Sequence, residues 1–384
     1  MQYLRAFIES NPILSMACAI AAMALFGWAL MARRFAAGWA GRVPGAGERV
    51  LILGSGPLAR ELIEEMRACG ARWTILGVIP EVRSIEPAPP YPVKGTIEDL
   101  ERIVGSLKPD RIVVALDERR GRLPVGPLLR TRVRGVAVED GVEFYERLTR
   151  RLAIDALTPS ALIFARGFNQ RRVAGVVGRV VSLLLAAVGV AATAPLWPLI
   201  VVAIRLDSRG PAVFVQERVG RGERKFGLLK FRTMFAEGAN GSSWVCDNTA
   251  RITRLGRFLR WSHLDELPQL LNILRGDMNL VGPRPHPVSN FELFSARIPY
   301  YALRTLVRPG LTGWAQVRYR YANTLQEESE KMRYDLYYIK HRSLWLDLRI
   351  LARTVRVLLL GLRPDRMVHG GKVVASQTSG VRAA

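Results

Sequence analysis

Residues 251–287 read RITRLGRFLRWSHLDELPQLLNILRGDMNLVGPRPHP. Leu270, Leu271, Ile273 and Leu274 recur at helical spacing, and Gly276 stands where a helix stop belongs. Proline is tolerated only in a first helical turn, so Pro268 makes the helix begin at or just after the acidic pair Asp265–Glu266. Arg251, Arg254, Arg257 and Arg260 precede that pair, and Arg275 and Arg284 come after it. An isolated acidic pair at such a place reads as a helix cap. The residues around this pair reverse that preference.

Two flanking stretches extend the pattern. Residues 214–234 read FVQERVGRGERKFGLLKFRTM, and residues 308–320 read RPGLTGWAQVRYR. With residues 251–287 they resemble the bacterial sugar transferase family, the polyprenyl-phosphate hexose-1-phosphate transferases. The resemblance covers roughly Gly175 to Leu362 and rests on LKFRTM, R-x-x-R-x-G-R-x-x-R, LDELPQL, GDMNLVGPRP and RPGLTGWAQV, all in family order. Residues 48–168 look like the Rossmann-like domain of larger members. Residues 121–164 are similar to the subgroup tied to exopolysaccharide loci.

The resemblance implies a UDP-sugar donor, a polyprenyl (undecaprenyl) phosphate acceptor, and the initiating step of exopolysaccharide or other glycoconjugate synthesis. Asp265 matches the family nucleophile, which attacks the β-phosphorus, releases UMP and holds the sugar phosphate covalently. Glu266 matches the second carboxylate and is cast as the ligand of Mg2+, the cofactor implied. Arg260 and Arg284 match arginines at the phosphate site, and Lys230, Arg232 and Arg218 are further phosphate-binding candidates. His263 is read as a packing residue, and Asp335 and Asp347 as structural. One departure stands out: the segment before the apolar run at 180–204, GVVGRVVS, lacks the acidic residue common there in the family.

The 384 residues carry 56 Lys and Arg against 33 Asp and Glu, a net charge of +23. Such a charge implies an anionic partner: nucleic acid, anionic lipid or phosphorylated substrate. No zinc-finger, recognition-helix or RNP pattern is present, so nucleic acid is excluded from the partner set. Membrane lipid stays in it, with a homodimer as an option. Cys18, Cys69 and Cys246 form neither a disulfide framework nor a metal spacing, which suits a cytosol-facing protein.

The expected fold class is α/β, in segments. Residues 1–47 hold an N-terminal transmembrane helix and linker: Pro12–Ala32 is uncharged and long enough to span a bilayer. Arg33, Arg34 and Arg42 after it, against Arg5 before, put the rest of the chain on the cytoplasmic side of the bacterial inner membrane. Residues 48–150 form a Rossmann-like, doubly wound unit, with strands at Trp73–Ile79 and Arg111–Leu116 and a helix at Ile97–Leu107 between them. Its turn, Gly54, Gly56 and Ala59, fits G-x-G-x-x-A and is either a nucleotide site or a purely structural turn. Residues 151–174 read as a linker, and 175–366 as a mainly helical, monotopic catalytic domain.

Within that domain the uncharged run 180–204 is broken by Pro195 and Pro198 and flanked by arginines at both ends. A straight span would violate the positive-inside rule, so a re-entrant helix is expected. Residues 343–363 place Leu344, Leu348, Leu351, Val355 and Leu358 or Leu359 on one helical face among arginines, the pattern of an interfacial helix or of an ordinary packing helix. Residues 367–384 read as a disordered tail.

Two rival functions compete with this reading. A membrane-bound NAD-dependent nucleotide-sugar dehydratase or epimerase needs a Tyr-x-x-x-Lys pair, and no lysine here stands after a tyrosine at that spacing. A non-catalytic lipid-binding scaffold explains the charge but not LDELPQL or GPRP. The α/β unit is expected to be dispensable for the chemical step.

Overall fold

The computed structural model describes residues 47–360, less 71–72, 82–90, 119–120, 158, 165–166, 169–171, 236–250, 320–321 and 323. The expected transmembrane helix at Pro12–Ala32 and the tail at 367–384 lie outside these residues.

The first unit is built on strand β1 (Glu48–Leu53), whose residues Val50 to Leu53 are fully buried. Val50 and Ile52 enter one core and Leu51 and Leu53 another, so a run without polar alternation is a strand covered on both faces. β1 lies between β2 (Trp73–Ile79) and β3 (Arg111–Val114), and β4 (Ala137–Asp140) closes the far edge, giving the order β2-β1-β3-β4 with every pair parallel. Helices α1 (Pro57–Ala68), α2 (Leu100–Leu107), α3 (Val125–Val133) and α4 (Gly141–Thr149) cover the faces. The expected strands and helix are all present. The unforeseen strand is β4, whose AVED is half-buried and carries no apolar run.

After the short helix α5 (Pro159–Phe164), the second unit opens with α6 (Arg172–Thr193) and α7 (Leu196–Asp207). The chain breaks between them at Ala194–Pro195, where proline cannot donate to the helical ladder. Gly175–Thr193 is the one helical stretch among the described residues long and apolar enough to cross a membrane, and little of it is buried. Val176, Leu184 and Val188 project outward, as do Leu199, Val202 and Leu206 of α7. Ala186 packs inward against Leu270 and Ile273.

Strands β5 (Val213–Val219) and β6 (Lys225–Phe231) form an antiparallel hairpin. Next come helix α8 (Arg254–Trp261), the 3-10 turn Leu264–Glu266 and α9 (Gln269–Arg275). α9 starts just after the acidic pair and ends at Gly276 in the left-handed conformation (φ +104°), as its sequence requires. Its N-cap is Pro268, with no side-chain capping bond, so neither Asp265 nor Glu266 serves as the cap. Strands β7 (Asn279–Val281) and β8 (Gly310–Thr312) pair in parallel. Between and beyond them come α10 (Val288–Arg297), α11 (Trp314–Arg318), α12 (Leu325–Lys340) and α13 (Leu344–Leu360).

Residues 151–157 are not a linker. Leu152 and Ile154 are buried in the second unit's main core with Trp314, Tyr334 and Tyr338, and Leu152 N donates to Arg333 O at 3.1 Å. One face of α12 meets the α/β unit. Arg333 pairs with Glu61 of α1, with Asp155 and with Glu330. Arg151, 1% exposed, bridges Glu65 of α1 and Glu330. The opposite face carries Glu328, Lys331 and Asp335 inward, the three- and four-residue steps that share a helical face. α13 also has two faces. Leu346 and Ile350 join the core, while Leu344, Val355 and Leu358 of the expected interfacial stripe stay exposed.

Candidate active site

The geometry begins at α8. Its N-cap Thr253 accepts from Gly256 N at 2.9 Å, and Arg260 on the last turn donates through Nε to Thr233 Oγ1 at 2.9 Å, fixing α8 against the end of β6. The chain then turns through His263, held in the left-handed region at φ +58°. A histidine there is uncommon, and the bend swings the 3-10 turn after it inward. His263 itself is exposed and does not pack, which corrects the expectation. Asp265 emerges 7% exposed, and Glu266 lies beside it.

Glu266 Oε1 accepts from Lys230 Nζ at 3.0 Å and from Arg284 Nη2 at 2.6 Å. Lys230 comes from β6 and Arg284 from the Pro283–Pro285 segment after β7. Burial opposes ionisation of Glu266, but Arg284 and Lys230 outweigh it and hold the carboxyl well below its usual range. Asp265 shifts the other way: burial raises it, Lys230 and Arg260 pull it down, and the neighbouring Glu266 charge pushes it up again. Burial and then Arg284 lower Lys230. Two adjacent carboxylates thus carry opposite shifts, the arrangement that separates a fixed charge from a reactive group.

The segment that presents Arg284 is clamped at successive carbonyls. Arg304 Nη2 donates to Arg284 O at 3.0 Å, Arg218 Nη1 to Pro285 O at 2.8 Å, and Val219 N to His286 O at 3.0 Å. The strands beneath sit so close that a Cβ on Gly310 would stand 2.1 Å from Gly282 N. Arg218 is lowered to about 10 by burial and by Arg284. Arg304 is 6% exposed and pairs with Asp335 at 2.8 Å and Glu328 at 3.4 Å, and it also meets Tyr301 and His286. Burial, then Arg304 and Lys331, push His286 well below the usual histidine value, so it is neutral.

Of the sequence-predicted residues, the structure brings together Asp265, Glu266, Lys230, Arg284, Arg260 and Arg218. It does not bring in Arg232. That buried guanidinium donates to Ser208 O and to Ser208 Oγ, the latter at 2.9 Å, and holds the C-terminus of α7. Arg304 and Glu328 are functional supports that sequence reading missed, because nothing in YALRTLVRPG sets Arg304 apart from a surface arginine.

Gly54, Gly56 and Ala59 lie in the α/β unit, away from this cluster. A Cβ on Gly56 would stand 1.9 Å from the Asp117 carboxylate, so an acid fills the space beside the turn. Burial, then Glu81, raise Asp117. Among the described residues no group of three or more His, Cys, Asp and Glu could hold a metal. The Asp265–Glu266 pair still fits magnesium arriving with a diphosphate, since that ion takes one or two carboxylates and completes its shell with phosphate oxygens and water.

Comparison with known proteins places this cluster. The bacterial sugar transferase family model matches residues 173–361, which contain every member of it. A UDP-glucose:undecaprenyl-phosphate glucose-1-phosphate transferase from Caulobacter vibrioides is 49% identical over 184 residues, 47% of this chain and 69% of that protein. A UDP-N-acetylgalactosamine-undecaprenyl-phosphate N-acetylgalactosaminephosphotransferase from Aeromonas hydrophila is 39% identical over 56% of this chain and 51% of its own length. A Xanthomonas campestris UDP-glucose:undecaprenyl-phosphate glucose-1-phosphate transferase is 46% identical over 42% of this chain and 35% of its own. The match thus spans about half the length of the Aeromonas relative and a third of the Xanthomonas one. A solved perosamine N-acetyltransferase from Caulobacter crescentus is 26% identical over 24% of this chain and 40% of that one, with a TM-score of 0.17, a likeness too slight to inform the fold. The clustered motifs and the Caulobacter match over two thirds of its partner agree: the chain belongs to the bacterial sugar transferase family.

Proposed function

We propose that the protein transfers a sugar 1-phosphate from a UDP-sugar to a polyprenyl phosphate, with Asp265 as nucleophile. The observation that carries this reading is the pair of adjacent carboxylates pushed in opposite directions inside one lysine–arginine cage. Asp265 attacks the β-phosphorus, the bond to the bridging oxygen breaks, and UMP leaves with the electron pair. An oxygen of the acceptor phosphate then attacks the sugar phosphoryl group and displaces Asp265. Lys230 and Arg284, paired with Glu266 at rest, turn to the phosphate oxygens as charge builds there. Arg260 lies close enough to lower Asp265 and favours its ionised form. Glu266 would hold Mg2+, which when bound supplies charge neutralisation at the diphosphate. The acceptor and the relatives' reaction suit initiation of exopolysaccharide or a similar glycoconjugate at the inner membrane.

Membranes carrying the protein are expected to release UMP from at least one of UDP-glucose or UDP-N-acetylgalactosamine when polyprenyl phosphate and Mg2+ are supplied. The acid limb of that activity should lie above the ordinary aspartate value of about 3.9, because Asp265 must be deprotonated and its folded value is raised. Activity falls as pH drops through this limb. Lys230→Met removes the cation that pulls Asp265 down, so its limb should move to higher pH. A limb that stays put in Lys230→Met would argue against Asp265 as the titrating group.

The α6–α7 break at Pro195, with Arg172 and Arg179 on one side and Arg205 and Arg209 on the other, supports a helix that enters the membrane and returns. Cysteines introduced at Arg172 and Arg209 should both react with a membrane-impermeant reagent only after the inner membrane is opened. Opposite accessibility would rule the re-entrant topology out.

A further inference from the structure

A recess lies between the end of α4 in the α/β unit and α11, α12 and the first turn of α13 in the second unit. Its floor is aromatic. Trp314 is fully buried and stacked with Tyr337, ring centroids 6.2 Å apart, and Trp345 also lines the recess. Two arginines stand over that floor, Arg150 from α4 and Arg349 from α13.

Among the described residues neither arginine side chain makes a hydrogen bond or ion pair, while Arg349 lies over the Trp345 ring at 5.8 Å. Burial lowers Arg349, and the like charge of Arg150 lowers it further. Glu146, four residues before Arg150, is held by Lys340 and His341, both at 2.5 Å. Arg318 and Arg353 lie over the Trp314 ring at 4.6 and 5.2 Å. Arg150 is held at φ +59°, and its carbonyl accepts from Trp314 Nε1 at 3.2 Å. Backbone conformations rare for a residue with a side chain persist where the surroundings impose them. Two like charges brought together over an aromatic floor, with no counter-ion among the described residues, form a place where an anion relieves repulsion.

We propose that this recess is a second phosphate-binding site, distinct from the Asp265 cluster, that takes a phosphoester head group. A phospholipid head group is one source of that chemistry and a soluble phosphoester the other. Since Arg150 and Arg349 come from different units, an occupant bridges them.

The test uses the full-length protein in detergent, titrated calorimetrically with dihexanoyl phosphatidylglycerol and, separately, with glycerol 1-phosphate. Arg150→Gln/Arg349→Gln should weaken binding of at least one probe by about tenfold or more, the loss of roughly one charge-assisted contact. Arg150→Lys/Arg349→Lys should recover part of it. UMP binding should be equal in all three proteins, which reports an intact fold and catalytic cluster. Loss for the lipid alone assigns a membrane head group, and loss for both assigns the phosphoester in general. Equal binding of both probes by wild type and the glutamine variant overturns the proposal.

Discussion

Asp265→Asn is expected to lower UMP release by about four orders of magnitude or more, the scale seen when the nucleophile of a concerted residue group is removed. The substitution keeps the side chain's size and removes its charge. Asp265 is 7% exposed and its ionised form is disfavoured by burial, so a neutral amide there costs the fold little. Melting temperature should therefore hold while turnover vanishes. Intact-protein mass spectrometry with UDP-sugar and no acceptor should show a sugar-phosphate adduct on wild type and none on Asp265→Asn. Near-normal turnover in Asp265→Asn would falsify the assignment of the nucleophile. Because Pro268, not Asp265, stands at the start of α9, loss of a helix cap cannot account for the result.

The second large effect is on stability. Arg304→Met should destabilise the protein by about 3–5 kcal/mol, since it leaves the buried Asp335 carboxylate without its ion-pair partner and Glu328 to Lys331 at 3.4 Å. Chemical denaturation of the second unit measures it. The triple variant Arg304→Met/Glu328→Gln/Asp335→Asn removes the stranded charges and should regain much of that stability. It should not regain UMP release, because the Arg284 carbonyl still lacks its donor and the guanidinium proposed to meet the phosphates is no longer held. Full recovery of turnover in the triple variant would show that Arg304 only balances charge.

These two residues also mark what the sequence could say. The start of α9 just after Asp265 and Glu266 was legible because its signals are local: helical spacing after the pair and a proline that sets the start. The parallel sheet was legible because uninterrupted apolar runs such as Val50–Leu53 mean a strand buried on both sides. Arg304 was not, since its partners arrive from α12 and long-range pairing leaves no local mark. Lys230 and Arg232 share the two-residue step that puts strand side chains on one face. β6 ends at Phe231, however, and beyond it Arg232 turns to the end of α7. The stretch from Arg151 to Leu157, RLAIDAL, is too short to announce an element of its own, and only the packing shows that Leu152 and Ile154 dock into the second core.

α12 has a consequence for how such chains can be recombined. Its outward face belongs, through Glu330 and Arg333, with Glu61, Glu65 and Arg151, and its inward face belongs, through Glu328 and Asp335, with Arg304. A chimera joined in the region 151–174 would transplant one half of a charge network and strand the other half, however well each unit folds alone. The natural seam runs lengthwise through α12, so exchanging the α/β unit between relatives calls for exchanging residues 330 and 333 with it while leaving 328 and 335 in place.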